Sequence, residues 1–486
     1  MSGNAITFWA LAVPLLGAVG IALTQRRPNL REAVTLGAAG LLFVLVLSLY
    51  PQVQAGERPG LILTRVMPGL DLALEVEPLG MLFALVASFL WIVTSIYSIG
   101  YMRAHGESHQ TRFYVCFAVA LSSTIGVAFA ANMFTLFVFY EVLTLSTYPL
   151  VTHSGSDEAR RAGRVYLGVL LGTSIGLLLV AIIWTWSLTG TLDFTEGGIL
   201  RGEASPMLIG VLYAMYVFGI GKAALMPFHR WLPAAMVAPT PVSALLHAVA
   251  VVKAGVFAIL KVSIYLFGAD YLRETGMGNW LAYVAAATII IASLVALRKD
   301  DLKARLAYST VSQLSYVVLG AVLANTWSMI GAGMHIVMHA FGKITLFFCA
   351  GAILVATNKK MVSEMQGLGR RMPLTMAAFF VAALSIIGLP PLGGLWSKWY
   401  LGIGTLEANQ MLLLAVLMLS SLLNIAYLLP IPVRGFFGTQ GNVAETGIRE
   451  APLPCLIALV LTATATLLLF FFPEPFFNLM LQAVSK

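Results

Sequence analysis

The chain has 486 residues, 59% of them hydrophobic and 10% charged, with mean hydropathy +0.89 and formal net charge +8. A soluble domain is about half apolar and a quarter charged, so this composition excludes a water-soluble globular protein. The basic excess lies in short loops between apolar runs, which is a topology signal and not a nucleic-acid-binding surface.

A membrane-crossing helix needs about 20 mostly apolar residues. The first such run, 6–24, has no basic region before it and no clear cleavage site after it, so it reads as a retained helix and not a removed signal peptide. A second follows at 32–50. The stretch 51–77 is polar, carries Pro68-Gly69 between alternating segments, and is expected outside the membrane as a small hairpin. Spans 78–100, 112–130, 132–152, 163–188 and 207–226 come next, the last running into Pro227, Pro233, Pro239 and Pro241. They are followed by 241–267, 280–297, 307–324 and 327–355. The run 374–390 is broken by Pro390-Pro391 and Gly393-Gly394 and resumes to about 401. Spans 410–429 and 453–473 complete fourteen, with a surface loop at 434–452 between them.

Charge tests that count. With the N-terminus outside, nineteen of the 29 basic residues fall in inner loops, five outside, and five inside helices. This positive-inside bias supports a multi-pass protein of the cell inner membrane with both termini on the outer side. Cys116, Cys349 and Cys455 lie in apolar runs without ligand spacing and read as small buried hydrophobes. The chain shows no haem, iron–sulfur or zinc pattern, no Walker loop and no GxGxxG after a strand, so no cofactor, metal site or catalytic chemistry of its own is expected.

Against this background six charged side chains stand inside spans: Glu141, Lys222, Lys253, Lys261, Lys343 and Lys398. His247, His335 and His339 join them. Each mid-bilayer charge costs at least about 2.5 kcal/mol, and such groups face the bundle interior and mark ion or proton routes. Glu141, Lys222 and Lys398 read as deep in apolar helices. Lys261 lies near an outer helix end, where snorkelling and function are both open, and His247 could equally be a packing histidine. His335, His339 and Lys343 are four residues apart and so line one helix face, as stepwise proton transfer needs. Prolines near Lys222 and Lys398 predict interrupted helices 7 and 12, a feature of transporter ion sites.

The two breaks are five helices apart, and an odd number of helices reverses orientation. The expected fold is therefore an all-α membrane protein with two inverted five-helix repeats, helices 4–8 and 9–13. The chain divides into 1–110 (helices 1–3), 111–268 (first repeat), 269–432 (second repeat) and 433–486 (loop and helix 14). The halves are unequal, because Ser312 and Gln313 occupy the helix comparable to that of Glu141.

Several long motifs carry a family resemblance. They are Gly221-Lys222-Ala223-Ala224-Leu225-Met226-Pro227-Phe228-His229-Arg230-Trp231-Leu232-Pro233, Ala238-Pro239-Thr240-Pro241-Val242-Ser243-Ala244-Leu245-Leu246-His247, Asp301-Leu302-Lys303, Leu306-Ala307-Tyr308-Ser309-Thr310-Val311-Ser312-Gln313, the His335/His339/Lys343 helix, and Gly388-Leu389-Pro390-Pro391 with Ser397-Lys398. Together, over roughly 100–430, they resemble the complex I / Mrp antiporter-like family. The resemblance implies fourteen helices with inverted repeats and broken helices 7 and 12. It implies that Glu141 is the helix 5 glutamate paired with Lys222, that Lys253, His335, His339 and Lys343 are a central relay, and that Lys398 is the distal lysine, where some relatives have glutamate. The length is most like the D-type member of multisubunit Na+/H+ (Mrp) antiporters. That reading implies proton translocation beside other membrane subunits, with Na+ as the candidate counter-ion and the lipid bilayer as surroundings. The alternative is a proton-pumping subunit of an NADH-quinone oxidoreductase or membrane-bound hydrogenase; a rival of another class is a secondary solute symporter.

Overall fold

The computed structural model describes residues 2–438 and 447–485. Lys486, counted above among the outer basic residues, and the middle of the 434–452 loop lie outside them. The architecture is an all-α membrane bundle, as the apolar runs require: lipid offers the backbone no partners, so each crossing segment must satisfy its own N–H and C=O groups. Twelve helices are long and apolar enough to cross, and two shorter apolar helices accompany them among the described residues.

In chain order these are α1 (Gly3–Leu23), α2 (Pro28–Gln54), α3 (Pro78–Ala104), α4 (Gln110–Ala128), α5 (Met133–Val151) and α6 (Asp157–Thr189). The short α7 (Pro206–Gly219) precedes α8 (Thr240–Thr275), α9 (Asn279–Arg298), α10 (Leu302–Leu323) and α11 (Thr326–Thr357). The short α12 (Pro373–Ile387) is continued across the second break by α13 (Gly394–Glu407), which stands outside those fourteen, and α14 (Met411–Phe437) and α15 (Leu453–Phe471) follow. A further helix, α16 (Glu474–Val484), follows Pro473 and packs on α3 and α11; the sequence reading ended the last helix without it. The expected hairpin is present as antiparallel β1 (Gly60–Met67) and β2 (Leu70–Glu75).

Burial sorts the helices. The apolar window of α8 is wholly buried and those of α10 and α11 nearly so, while α2, α6 and α14 bury about a third of theirs. The outer helices turn Leu41, Val44 and Leu47 of α2 and Leu412, Met418 and Leu422 of α14 outward, where hydrocarbon and not water is the solvent. Inside, α11 is the axle, packing against α3, α8, α10, α12, α13, α15 and α16.

Both expected helix breaks are present, and one lies earlier than expected. The sequence reading ran helix 7 to residue 226; α7 stops at Gly219, and Lys222 sits in a 3-10 turn, Gly221–Ala223, closed by Ala224 at φ 54. Lys222 is therefore not deep in a helix but in the break itself. The Gly221 carbonyl accepts both the Ala224 N–H and the Trp231 indole N–H, each at 3.0 Å, so this buried acceptor is satisfied within the break. At the second break α12 ends at Ile387, Gly388 adopts φ 92, and α13 starts at Gly394.

Candidate functional site

The polar interior is built where α5, the Lys222 turn, α8, α10, α11 and α13 meet. Lys222, His247, Lys253, His335, His339 and Lys343 are all at most 2% exposed. None of these faces lipid.

The Lys222 side chain turns back onto α5. Its ammonium donates to the Tyr140 carbonyl at 2.8 Å and to Thr144 Oγ1 at 2.5 Å, over the Tyr140 ring. The Lys222 backbone N–H donates to the Tyr140 hydroxyl at 3.1 Å. The direct Glu141–Lys222 pair implied by the resemblance is not formed. Tyr140 and Thr144 are one turn apart and share the face toward Lys222, whereas Glu141 is rotated about 100° from Tyr140. Among the described residues neither Glu141 carboxylate oxygen has a hydrogen-bond partner, although Glu141 remains the charged neighbour of Lys222.

The turn is held by a close helix approach. A Cβ on Gly255 of α8 would meet Ala223 N at 2.3 Å and the Lys222 carbonyl carbon at 2.4 Å. Gly255→Ala is expected to destabilise the protein by about 1–3 kcal/mol through overpacking, whereas Gly168→Ala, whose Cβ would meet nothing within 4 Å inside α6, is expected to keep or slightly raise the melting temperature. Wild-type melting of Gly255→Ala would show that the contact yields freely.

The helix face read from the four-residue spacing is real, and α11 carries it without interruption. Lys253 Nζ lies 2.8 Å from His339 Nδ1. The His339 and His335 rings stack at 5.6 Å, and His335 Nδ1 lies 2.9 Å from Ser397 Oγ. Tyr316 stacks on His335 at 5.2 Å, and Lys398 Nζ lies 5.2 Å from the centroid of that same Tyr316 ring. Lys398 donates to the Ile387 carbonyl and to Ser421 Oγ, both at 3.0 Å. It thereby caps the broken end of α12, where a cation is favoured by the exposed carbonyls. Lys398 is half-buried and not deep in a helix.

Lys343 takes a side branch. It donates to Ser309 Oγ at 2.6 Å and the Leu306 carbonyl at 3.3 Å, and Ser309 in turn receives the Tyr427 hydroxyl at 2.9 Å. His247 lies in a widened turn of α8 and packs on Phe347 at 4.6 Å; among the described residues its ring nitrogens make no hydrogen bond, with Lys343 and Lys303 as its charged neighbours. Outside the spans, burial pushes the His229 imidazole below its ordinary value and Arg230 pushes it further, while the Pro227 backbone works against both.

Lys261 is neither snorkelling nor part of this line. It is fully buried and ion-paired to Glu77 at 3.1 Å, and it donates to the Ala128 and Ala130 carbonyls at 3.3 and 2.8 Å. Glu77 also caps α3 through the Leu79 and Gly80 N–H groups and accepts the Tyr265 hydroxyl at 3.1 Å. The sequence reading missed Glu77 because it precedes the first apolar residue of its span. It also missed the partners of the titratable groups. The Thr144, Ser309, Ser397 and Ser421 hydroxyls bond Lys222, Lys343, His335 and Lys398 in turn, and the Tyr316 ring lies between His335 and Lys398. Ser309 and Ser397 stood inside the quoted motifs, and that was the available signal. Ser312, by contrast, bonds Ser293 at 2.9 Å and the Ile289 carbonyl at 3.1 Å.

The described residues thus hold a line of titratable side chains from Lys253 through the stacked His339 and His335 rings toward Lys398, a separate Lys222 cluster, and a Lys261–Glu77 ion pair. Among them no three His, Cys, Asp or Glu side chains converge as metal ligands.

Comparison with known proteins adds independent findings. Residues 130–424 match the family model described as NADH:quinone oxidoreductase/Mrp antiporter, TM, and residues 68–114 match NADH-Ubiquinone oxidoreductase (complex I), chain 5 N-terminus. The N-type subunit of NADH-quinone oxidoreductase from Desulforudis audaxviator is 34% identical, over 76% of this chain and 73% of that protein. The D-type subunit of the Na(+)/H(+) antiporter from Alkalihalophilus pseudofirmus is 28% identical, over 83% and 82%. Among other curated relatives the chain spans only 44–62% of the length of the longer proteins. A solved chain of the Mrp complex from Dietzia sp. shares the fold, with TM-score 0.87, 23% identity, and coverage of 100% of this chain and 97% of that one.

Proposed function

The chain belongs to the NADH:quinone oxidoreductase/Mrp antiporter transmembrane family, and from that premise we propose that it is the proton-translocating subunit of a multisubunit Na+/H+ antiporter. One observation carries the reading: Lys253, His339 and His335 form a buried, hydrogen-bonded and stacked line that reaches Ser397 beside Lys398. Proton hopping requires groups within hydrogen-bond reach, able both to donate and to accept. Lys253–His339 and His335–Ser397 meet that requirement directly. The step between the stacked histidines needs a bridging water or a ring rotation that brings their Nε2 atoms into use. Glu141, Lys222, His247, Lys253, His335, His339, Lys343 and Lys398 are the assigned proton-transfer residues.

In this mechanism the Lys222 ammonium rests on Tyr140 and Thr144 and is stabilised electrostatically by Glu141. In a low-dielectric interior that attraction is strong, so a change in the charge or position of Glu141 changes the proton's hold on Lys222. Released protons pass along Lys253, His339 and His335 toward Lys398, with His247 and Lys343 setting the charge around His339. The organisation proposed is fourteen crossings, with inverted units 111–268 and 269–432 between the flanks 1–110 and 433–486. The setting is the cell inner membrane, with both termini outside and other membrane subunits as partners.

The test is reconstitution of the chain with the subunits that co-purify with it. An imposed Na+ gradient is expected to drive proton flux of opposite direction, measured with a trapped pH dye. The 34% identity to an NADH-quinone oxidoreductase subunit favours a second reading, a proton-pumping subunit of a redox complex. Proton flux that ignores Na+ and appears only with a quinone and its reductant would replace the first reading by the second.

A further inference from the structure

The line of hydrogen bonds stops at His335, and an aromatic ring stands between it and Lys398. His335 bonds through Nδ1 to Ser397 Oγ at 2.9 Å, and the Ser397 hydroxyl donates to the Gly394 carbonyl at 3.2 Å. The His335 Nε2 atom is buried and makes no hydrogen bond among the described residues. Lys398 donates to the Ile387 carbonyl and to Ser421 Oγ. These bonds do not join His335 to Lys398. What both groups touch is Tyr316 of α10, which is fully buried. The His335 ring stacks on it at 5.2 Å with 14° between the planes, and the Lys398 ammonium lies 5.2 Å from its centroid.

The hydroxyl and the ring of Tyr316 have different surroundings. The hydroxyl donates to the Leu417 carbonyl of α14 at 3.3 Å, with the Gln313, Ser420 and Ser421 side chains as its polar neighbours. Its proton is held by a backbone carbonyl, which has none to pass on. The ring carries no exchangeable proton, and its face attracts a cation while its bulk excludes water. Lys398 is a charged neighbour of His335, and two cations in a low-dielectric interior repel strongly. A ring between them lets each be charged in turn with no water chain joining them. The first break is arranged otherwise. Lys222 also lies over a tyrosine ring, 3.1 Å from the Tyr140 centroid, but it bonds the Tyr140 carbonyl and Thr144 directly.

We propose that the Tyr316 ring is a plug between His335 and Lys398, and that a proton crosses only when the ring turns aside. The proposal rests on the reading that protons pass from His335 to Lys398. Removing the ring leaves a space bordered by His335, Lys398 and Ser421. A space with polar walls fills with water, which then joins the two groups continuously. The consequence is a proton leak that needs no coupled ion.

The test uses proteoliposomes of the full chain with its co-purifying subunits. A trapped pH dye reads two rates: coupled proton flux, and passive proton entry under an imposed K+ diffusion potential without Na+. Tyr316→Ala is expected to raise the passive rate several-fold. Tyr316→Phe, which keeps the ring, is expected to match wild type in both rates. Adding Lys398→Met to Tyr316→Ala is expected to return the passive rate to wild type, because the leak runs through that ammonium. A tight Tyr316→Ala, a Tyr316→Phe that leaks or loses coupled flux, or a leak that survives Lys398→Met overturns the proposal. Lys398→Met alone separates two kinds of failure. If it keeps full coupled flux, the proton line itself is wrong; if it is inactive while Tyr316→Ala is tight, only the plug is wrong. Should Tyr316→Ala not assemble, Tyr316→Gln, which keeps length and holds water by hydrogen bonds, is expected to leak in its place, and a tight Tyr316→Gln overturns the proposal.

Discussion

Lys222→Ala is expected to reduce proton-coupled transport to background while the protein still inserts and melts close to wild type. The ammonium makes two charge-assisted hydrogen bonds, to the Tyr140 carbonyl and to Thr144 Oγ1, and bonds of that kind contribute about 1.5–3 kcal/mol. Their loss is offset because the buried cation, itself costly, disappears with them. Neither remaining acceptor is stranded: the Tyr140 carbonyl still receives the Thr144 hydroxyl at 3.2 Å, inside α5. Stability is therefore nearly unchanged, but the ammonium that rests on α5 beside Glu141 is gone.

Glu141→Ala is expected to abolish transport as well, by a different route. It breaks no hydrogen bond found among the described residues; it removes the negative charge beside Lys222. Glu141→Gln, which keeps shape and loses charge, should then be as inactive as Glu141→Ala. Proteoliposome flux measured on the three variants decides. Full activity in Lys222→Ala and Glu141→Ala would remove both residues from the mechanism, and an active Glu141→Gln would show that the carboxylate acts by shape and not by charge.

Glu77→Ala is expected to be the most destabilising single substitution considered, by about 3–5 kcal/mol, because it leaves Lys261 charged and fully buried without its counter-ion. It also removes the cap of α3 and the acceptor of Tyr265. The measurement is a double-mutant cycle on thermal melting with Lys261→Met, whose straight apolar chain fills the same space. The double variant should recover much of the loss, since removing both charges is far cheaper than removing one. A Glu77→Ala protein that expresses and melts like wild type would mean that Lys261 finds another partner. Transport in the double variant is expected to persist, since the pair lies apart from the Lys253–Lys398 line. This separates a structural staple from a relay member by experiment.

Fold and site were legible to different depths. The multi-pass character was visible because a lipid-spanning helix needs a long apolar run whatever surrounds it. Twelve of the expected spans are helices long and apolar enough to cross, and the two that run into breaks are shorter apolar helices. Errors there are errors of ends. The break at Gly219 comes before the proline that announced it, in a 3-10 turn whose Gly221 carbonyl is held by the Ala224 N–H and the Trp231 indole N–H ten residues on. The helix α16 was missed because a short amphipathic segment after a proline has no strong apolar run of its own. His335, His339 and Lys343 were legible as a line because helical spacing alone puts them on one face.

Partnerships were not legible. Lys253 meets His339 across 86 positions, Lys222 meets Thr144 across 78, and Tyr265 meets Glu77 across 188. Nothing local distinguishes a lysine that faces a histidine from one that faces a carboxylate, so the partners of Lys253 and Lys261, about two turns apart on α8, could not be read from their surroundings in the sequence. Composition, hydrophobic period and the bias of basic loops by themselves determined that this protein crosses a membrane many times and keeps ionisable groups within it. Only the tertiary structure decided which of those groups touch, because a hydrogen bond depends on ångström-scale placement of helices that the bilayer orients but does not register. That placement is set by contacts such as Gly255 against the Lys222 turn.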